Sequence, residues 1–173
     1  MSGPGNLPDS VFDSVYSLCF RKVYAYFSAA FGSLLAEDLS QQVFVKLWRY
    51  LSKEDAVEPD NWQAWIFRLA INEKNDYLRK KRRTASTSEY NDALENMQLD
   101  RRDADEESIA VRQAFACLAQ EERELLTLKS IGFTSAEIGA LWGISDSTIR
   151  SRLSAAKKQF RENLMENGVN CDG

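Results

Sequence analysis

Residues 84–107 cannot supply a hydrophobic core. Glu89, Asp92, Glu95, Asp100, Asp103, Asp105, Glu106 and Glu107 crowd this stretch, offset by Arg101 and Arg102, and residues 84–88 open it with hydroxyl side chains. Leu94, Met97 and Leu99 allow a short helical turn but no packed face. Folding must therefore happen on either side of this stretch, in two small units. Apolar residues make up 44% of the 173 positions, enough for two modest cores. Small domains bury a smaller share of their surface than large ones.

In both flanks the apolar residues recur every third or fourth position. Residues 1–8 read as a leader, and Asp9 or Ser10 can cap a first helix through Val11, Phe12, Val15, Tyr16, Leu18, Cys19, Val23, Tyr26 and Phe27. Gly32 and Ser33 break it. A second helix starts near Ala36 and carries Leu39, Val43, Leu47 and Leu51, with Phe44 and Trp48 widening the stripe. Residues 52–61, with Pro59, read as a loop. Trp62 opens a third helix that ends in the basic run Arg79, Lys80, Lys81, Arg82 and Arg83. Beyond the acidic stretch, a helix near Ser108 holds Ile109, Val111, Phe115 and Leu118, and one over residues 121–131 holds Leu125, Leu126 and Leu128. No strand-like alternation of useful length and no internal repeat is visible. The expected class is all-α: two small helical domains, residues 9–84 and 108–166, joined by an acidic linker, residues 85–107.

The end of the second domain has a recognisable local grammar. Thr134 or Ser135 can cap a helix bearing Ile138, Leu141 and Trp142. Gly143 suits the left-handed residue that ends a helix. Ser145 or Asp146 caps the next helix, whose Ile149, Leu153, Ala156 and Phe160 point inward. This is a helix-turn-helix pattern. The outward face of its second helix carries Ser147, Arg150, Ser151, Ser154, Lys157 and Arg161, flanked by Arg152 and Lys158. Small hydroxyls permit close approach to a major groove, arginines reach guanine edges or phosphates, and the helix N-terminus offers backbone donors to a phosphate. A basic face alone also fits a solvated helix closing a small bundle. The capped short helix, glycine turn and acid-free basic run favour DNA.

On the third helix, Arg68, Asn72, Asn75, Arg79 and Arg83 share one face. Positive charge mixed with flat amides suits an unpaired strand, although a solvated face ending in a basic tail has the same pattern. On the second helix, Asp38, Gln41, Gln42, Lys46 and Arg49 face away from the apolar stripe, which by itself says only that they are exposed. Periodicity assigns Trp48, Trp62 and Trp65 to core packing ahead of base stacking.

The formal charge of -4 hides these two basic zones. Three cysteines without CxxC spacing, and no histidine, argue against a zinc site or any metal cofactor. Cys19 and Cys117 read as buried thiols and Cys171 as a tail thiol, which suits a reducing cytosol. The first residues lack the pattern of a signal peptide, and no apolar run reaches membrane-spanning length. Without histidine, a phosphate-cradling glycine loop or clustered carboxylates on a helix face, an enzyme is the weakest class.

Three segments together resemble a known family. AEDLSQQVFVKLWRYL is similar to the second-region helix of extracytoplasmic-function sigma factors, WQAWIFRLAINEKNDYLRKKRR to the following promoter-facing helix, and ERELLTLKSIGFTSAEIGALWGISDSTIRSRLSAAKKQFRENL to the fourth region. The resemblance runs from Phe12 to Leu164 except for the linker. It implies an alternative sigma factor that acts in the cytoplasm, binds core RNA polymerase and promoter DNA, is restrained by an anti-sigma factor, and inserts in no membrane. By position it assigns polymerase docking to Asp38 and Gln41, with Leu39, Val43 and Phe44 building that helix. The exposed neighbours Gln42, Lys46 and Arg49 extend the docking face. Arg68, Asn72, Asp76 and Arg79 fall on the −10 helix, which Asn75 and Arg83 extend. Residues 52–61 match the loop that captures a flipped base. Thr148, Arg150, Ser151 and Arg152 match the start of the −35 helix, which Ser147, Ser154, Lys157 and Lys158 complete. Gln42 replaces a usual acid, and Ser154, Ala155 and Ala156 replace a stretch that usually carries arginine. Specificity is therefore expected to lean on Arg150, Arg152 and DNA shape. Two rival expectations are a stand-alone helix-turn-helix regulator and a helical protein-interaction module, such as a sigma-like decoy that binds polymerase or an anti-sigma factor without starting transcription.

Overall fold

The computed structural model describes residues 7–84 and 106–166. Seven helices occupy the described residues, with no strand among them: α1 Leu7–Phe31, α2 Ser33–Leu51, α3 Trp62–Thr84, α4 Glu106–Ala116, α5 Gln120–Ser130, α6 Ser135–Trp142 and α7 Asp146–Met165. The all-α reading is borne out. Several ends differ from the expected ones. The first helix includes Leu7 and Pro8, and α2 begins at Ser33, so the break is Gly32 alone. Helix α4 takes up Glu106 and Glu107, two acidic residues assigned to the linker. The rest of that linker, including the turn at Leu94, Met97 and Leu99, lies outside the described residues, as does Cys171.

Backbone packing separates two compact units. The first contains most of α1 with α2 and α3. Val15, Cys19, Val23 and Tyr26 from α1 meet Leu39, Val43 and Leu47 from α2 and Ile66, Phe67 and Ala70 from α3 in its buried core. Tyr26 and Phe67 pack edge to face at 5.8 Å between ring centres. The spacing of these residues explains the fold: each helix turns one stripe inward and leaves the opposite stripe to solvent.

The second unit gathers α4 to α7 around Ala114, Leu118, Leu125, Leu128, Ile138, Ile149, Leu153 and Ala156. Phe115 and Phe160 meet edge to face at 6.4 Å, and Asn163 Nδ2 donates to Ala114 O at 3.0 Å, so the end of α7 is tied to α4. The tight α4–α5 turn depends on a residue that periodicity does not anticipate. Arg123 is buried, and its Nη1 donates to Leu118 O at 2.5 Å and Ala116 O at 3.2 Å. Burial lowers its pKa, partly offset by Glu124. Cys117, expected as a buried thiol, is half-buried, whereas Cys19 is fully buried and free. Burial pushes the Cys19 thiol up to about 11 despite the opposing charge of Lys22.

Candidate nucleic-acid interfaces

The helix-turn-helix is built from two local devices and one close approach. Thr134 and Glu137 cap α6 reciprocally: Glu137 N donates to Thr134 Oγ1 at 3.2 Å and Thr134 N donates to Glu137 Oε2 at 2.7 Å. Those bonds hold the Glu137 carboxyl below its ordinary value. At the other end Gly143 takes φ 68°, the left-handed region. Ile144 N then donates to Gly139 O at 2.9 Å. The chain passes so near α6 here that a Cβ on Gly139 would lie 2.5 Å from Ile144 O. Gly139 therefore sets the distance between α6 and the turn that launches α7.

Ser145 caps α7 by accepting from Thr148 N at 3.3 Å, and its hydroxyl also meets Thr148 Oγ1 at 2.7 Å. Thr148 is thereby half-buried and engaged, and one of the backbone donors expected to be open to a phosphate is already taken. Ser147, Arg150, Ser151, Arg152, Ser154, Lys157 and Lys158 are all exposed on α7, opposite the buried Ile149, Leu153 and Ala156. Three of these cations have a carboxylate within reach. Arg150 pairs with Asp146 one turn earlier, and Arg152 pairs with Glu121 on α5. Lys158 lies 3.9 Å from Glu162.

Helix α3 presents its expected face as well. Asn61 starts it, accepting from Ala64 N at 3.0 Å. Ile66, Phe67, Ala70 and Ile71 are buried, and Arg68, Asn72, Asn75, Arg79 and Arg83 are exposed together on the other side. Asp76 is half-buried and accepts from Arg79 Nη2 at 2.8 Å. It steadies an arginine of this face. The loop before α3 is bracketed by Tyr50, whose hydroxyl donates to Val57 O at 2.6 Å and accepts from Val57 N at 3.1 Å. The Tyr50 ring packs on Trp65 at 4.7 Å, and Trp65 meets Trp62 edge to face at 5.6 Å. Both tryptophans are half-buried, in keeping with structural packing.

The outer face of α2 differs from the purely polar surface expected. Asp38, Gln41, Gln42 and Arg49 are exposed. Lys46 is half-buried and pairs with Glu73 on α3 at 2.5 Å, so its charge is used inside the unit. Apolar residues join the face instead: Leu34 is 65% exposed, Val45 42% and Trp48 44%. Trp48, assigned to the core by periodicity, sits at its edge with Phe12 5.4 Å away. Phe44 and Trp48 fall at the margin of a wide stripe, and α1 covers only the first of them.

No helix among the described residues is long and apolar enough to cross a membrane, and no cluster of three or more acidic, cysteine or histidine side chains there is arranged to hold a metal ion.

Comparison with known proteins finds a family match in each part of the chain. Residues 11–84 match the Sigma-70 region 2 family and residues 108–160 the Sigma-70, region 4 family. The ECF RNA polymerase sigma factor EcfG of Rhodopseudomonas palustris is 30% identical over 136 residues, covering 78% of this chain and 74% of the relative. The probable RNA polymerase sigma factor RfaY of Xanthomonas campestris pv. campestris is 27% identical over 139 residues; 76% of this chain matches only 34% of that protein, so the chain spans about a third of its length. Among solved structures, the sigma factor RpoE from Bartonella quintana, in complex with the anti-sigma factor NepR, superposes with a TM-score of 0.64 at 24% identity, over 91% of this chain and 98% of RpoE. That last likeness speaks to the fold.

Proposed function

The chain belongs to the extracytoplasmic-function family of RNA polymerase sigma factors, and from that premise we propose that it docks on core RNA polymerase and directs it to particular promoters. One observation carries this reading. Helices α3 and α7 each present an exposed face of cations and hydrogen-bonding side chains, and the two faces fall in different family regions. A lone duplex-binding regulator has no use for the first face.

The chemistry of the faces supports a division of tasks between them. Arg68, Asn72, Asn75, Arg79 and Arg83 suit an unpaired −10 strand, with phosphates held by the arginines and base edges met by the amides. The loop bracketed by Tyr50 offers the place for an extruded base. The α7 face, with Ser147, Ser151 and Ser154 between cations, suits the major groove of the −35 duplex. Asp38, Gln41, Gln42 and Arg49, with the apolar Leu34, Val45 and Trp48, form a docking surface for the polymerase. A polar rim around aromatic and aliphatic anchors is how protein interfaces are built. Two weak DNA sites on one polymerase-bound carrier gain avidity when a promoter satisfies both. The reading contains no covalent step, and it places the protein in the cytoplasm, where polymerase works. The Bartonella relative's complex with an anti-sigma factor supports a restraining partner of the same kind for this chain.

Multi-round run-off transcription tests the reading, using core polymerase and a library of genomic fragments. A sigma factor yields transcripts from a small set of start sites that share two spaced elements. A stand-alone regulator binds duplex DNA tightly without polymerase and yields none. A decoy associates with polymerase and yields none.

A further inference from the structure

Arg152 is exposed and lies at the start of the helix assigned to the −35 element, yet its guanidinium is already occupied. Nη1 donates to Glu121 Oε1, across the packing of α5 against α7. With 3.6 residues per turn, the buried Ile149, Leu153 and Ala156 set the outward direction of α7 through Ser151 and Lys158. Arg152 stands to one side of that line, and its partner is on the side of α5. Glu121 stands in the first turn of α5, but the capping bond there belongs to Glu122, which accepts from Ala119 N at 3.0 Å. A carboxylate and a phosphate each offer a guanidinium a pair of anionic acceptor oxygens that its planar fork can meet. A promoter phosphate can therefore take the same edge of Arg152 only when the carboxylate lets go.

We propose that Glu121 is a positioning residue that competes with promoter phosphate for Arg152 and so restrains the −35 affinity of α7. The proposal rests on the −35 assignment of α7 made above. Both side chains are substantially exposed, at 44% for Arg152 and 61% for Glu121, so the restraint is mild. Exposed pairs change an equilibrium by up to about five-fold. Asp146 holds Arg150 in a similar way, but as a pair one turn apart within α7, so removing it also weakens the recognition helix itself, whereas Glu121 acts from another helix. Glu121 is the cleaner lever.

The test uses holoenzyme, formed from core polymerase and the full chain, on a promoter found by run-off transcription. Promoter affinity is measured at low salt for wild type, Glu121→Gln, Arg152→Ala and the double variant, with thermal unfolding as a control for folding. The proposal expects Glu121→Gln to raise affinity by about 1.5- to 5-fold more in the wild-type background than in the Arg152→Ala background. An equal gain in both backgrounds overturns it, because simple repulsion between Glu121 and DNA does not need Arg152. A loss of affinity in Glu121→Gln also overturns it and makes Glu121 a brace that aims Arg152. Failure of wild-type holoenzyme to initiate at any promoter refutes the sigma reading itself, and the proposal falls with it; equal gains from an active holoenzyme refute the proposal alone.

Discussion

Gly139→Ala is the sharpest single perturbation of the helix-turn-helix. Inside a helix this change ordinarily stabilises by about 1 kcal/mol, because alanine loses less backbone freedom on folding. Here the added Cβ would sit 2.5 Å from Ile144 O and 3.5 Å from Asp146 N. Carbon and carbonyl oxygen approach no closer than about 3.3 Å in ordinary contacts. The obstacle is backbone, so no side chain can swing aside. The turn must retreat by close to an ångström, which also strains the Ile144 N to Gly139 O bond of 2.9 Å. Forcing an extra methyl into a filled site costs about 1–3 kcal/mol. Because the neighbour is backbone, the upper half of that range, about 2–3 kcal/mol, applies; subtracting the helical gain of about 1 kcal/mol leaves a net loss of about 1–2 kcal/mol, or about a five- to thirty-fold rise in the open population of the second unit. Hydrogen exchange on the full chain measures this directly, followed on peptides from α6 and α7. Ala140→Gly, at an exposed site on the same helix, supplies the control, since it loses helical propensity without touching the turn. The variant should also lose −35-dependent transcription, because α7 is displaced. A Gly139→Ala protein as protected as wild type, or more so, would refute the close approach of α6 and the turn.

Other outcomes follow from single contacts. Tyr50→Phe removes both bonds to Val57 and should slow promoter opening while leaving polymerase affinity unchanged; permanganate reactivity of unpaired thymines reports the opening, and an unaltered rate would separate this loop from the −10 step. Glu137 has its carboxyl pKa lowered mainly by its bond from Thr134 N. Its contribution to the α6 cap is therefore fully present above the unfolded carboxyl value of about 4.3 and fades as pH falls through the lower folded value. Glu137→Ala should cost about 0.3–1 kcal/mol at neutral pH and less in acid, as unfolding curves across pH will show; a cost independent of pH would count against the reciprocal cap. Cys19, wholly buried with its thiol pushed up to about 11, should resist a chromogenic thiol reagent at neutral pH until denaturant is added, and reaction at the rate of a free thiol would contradict its burial.

What sequence reading captured here were features that depend on near neighbours. The cap at Thr134, the left-handed Gly143, the Ser145 cap and the inward Ile149, Leu153 and Ala156 are each decided within a few residues. The exposed face of α3 followed from helical phase alone. What escaped depends on contacts that helical phase does not encode, some across a turn and some between helices. Gly139 looks like any helical glycine until Ile144 O is brought against it. Lys46 looks like a surface cation until α3 supplies Glu73. Trp48 belongs to an apolar stripe, yet the stripe is wider than the surface α1 can cover, so its last member is left at the edge. Arg123 shows the opposite error of a simple rule: a charged residue is buried because backbone carbonyls at a tight turn need its donors. The partner of Arg152 escaped for the same reason as Lys46, since another helix supplies it, whereas Asp146 lies one turn from Arg150 and was within reach of helical spacing.

The most direct measurement is whether the purified full chain co-migrates with core RNA polymerase when no DNA is present, and whether Trp48→Ala weakens that association. A sigma factor that docks through the outer face of α2 forms a stable complex with the core enzyme, and truncating an exposed aromatic anchor there should reduce its affinity by about ten-fold or more. A chain that never joins the core enzyme, whatever DNA it binds on its own, would contradict the function assigned to it.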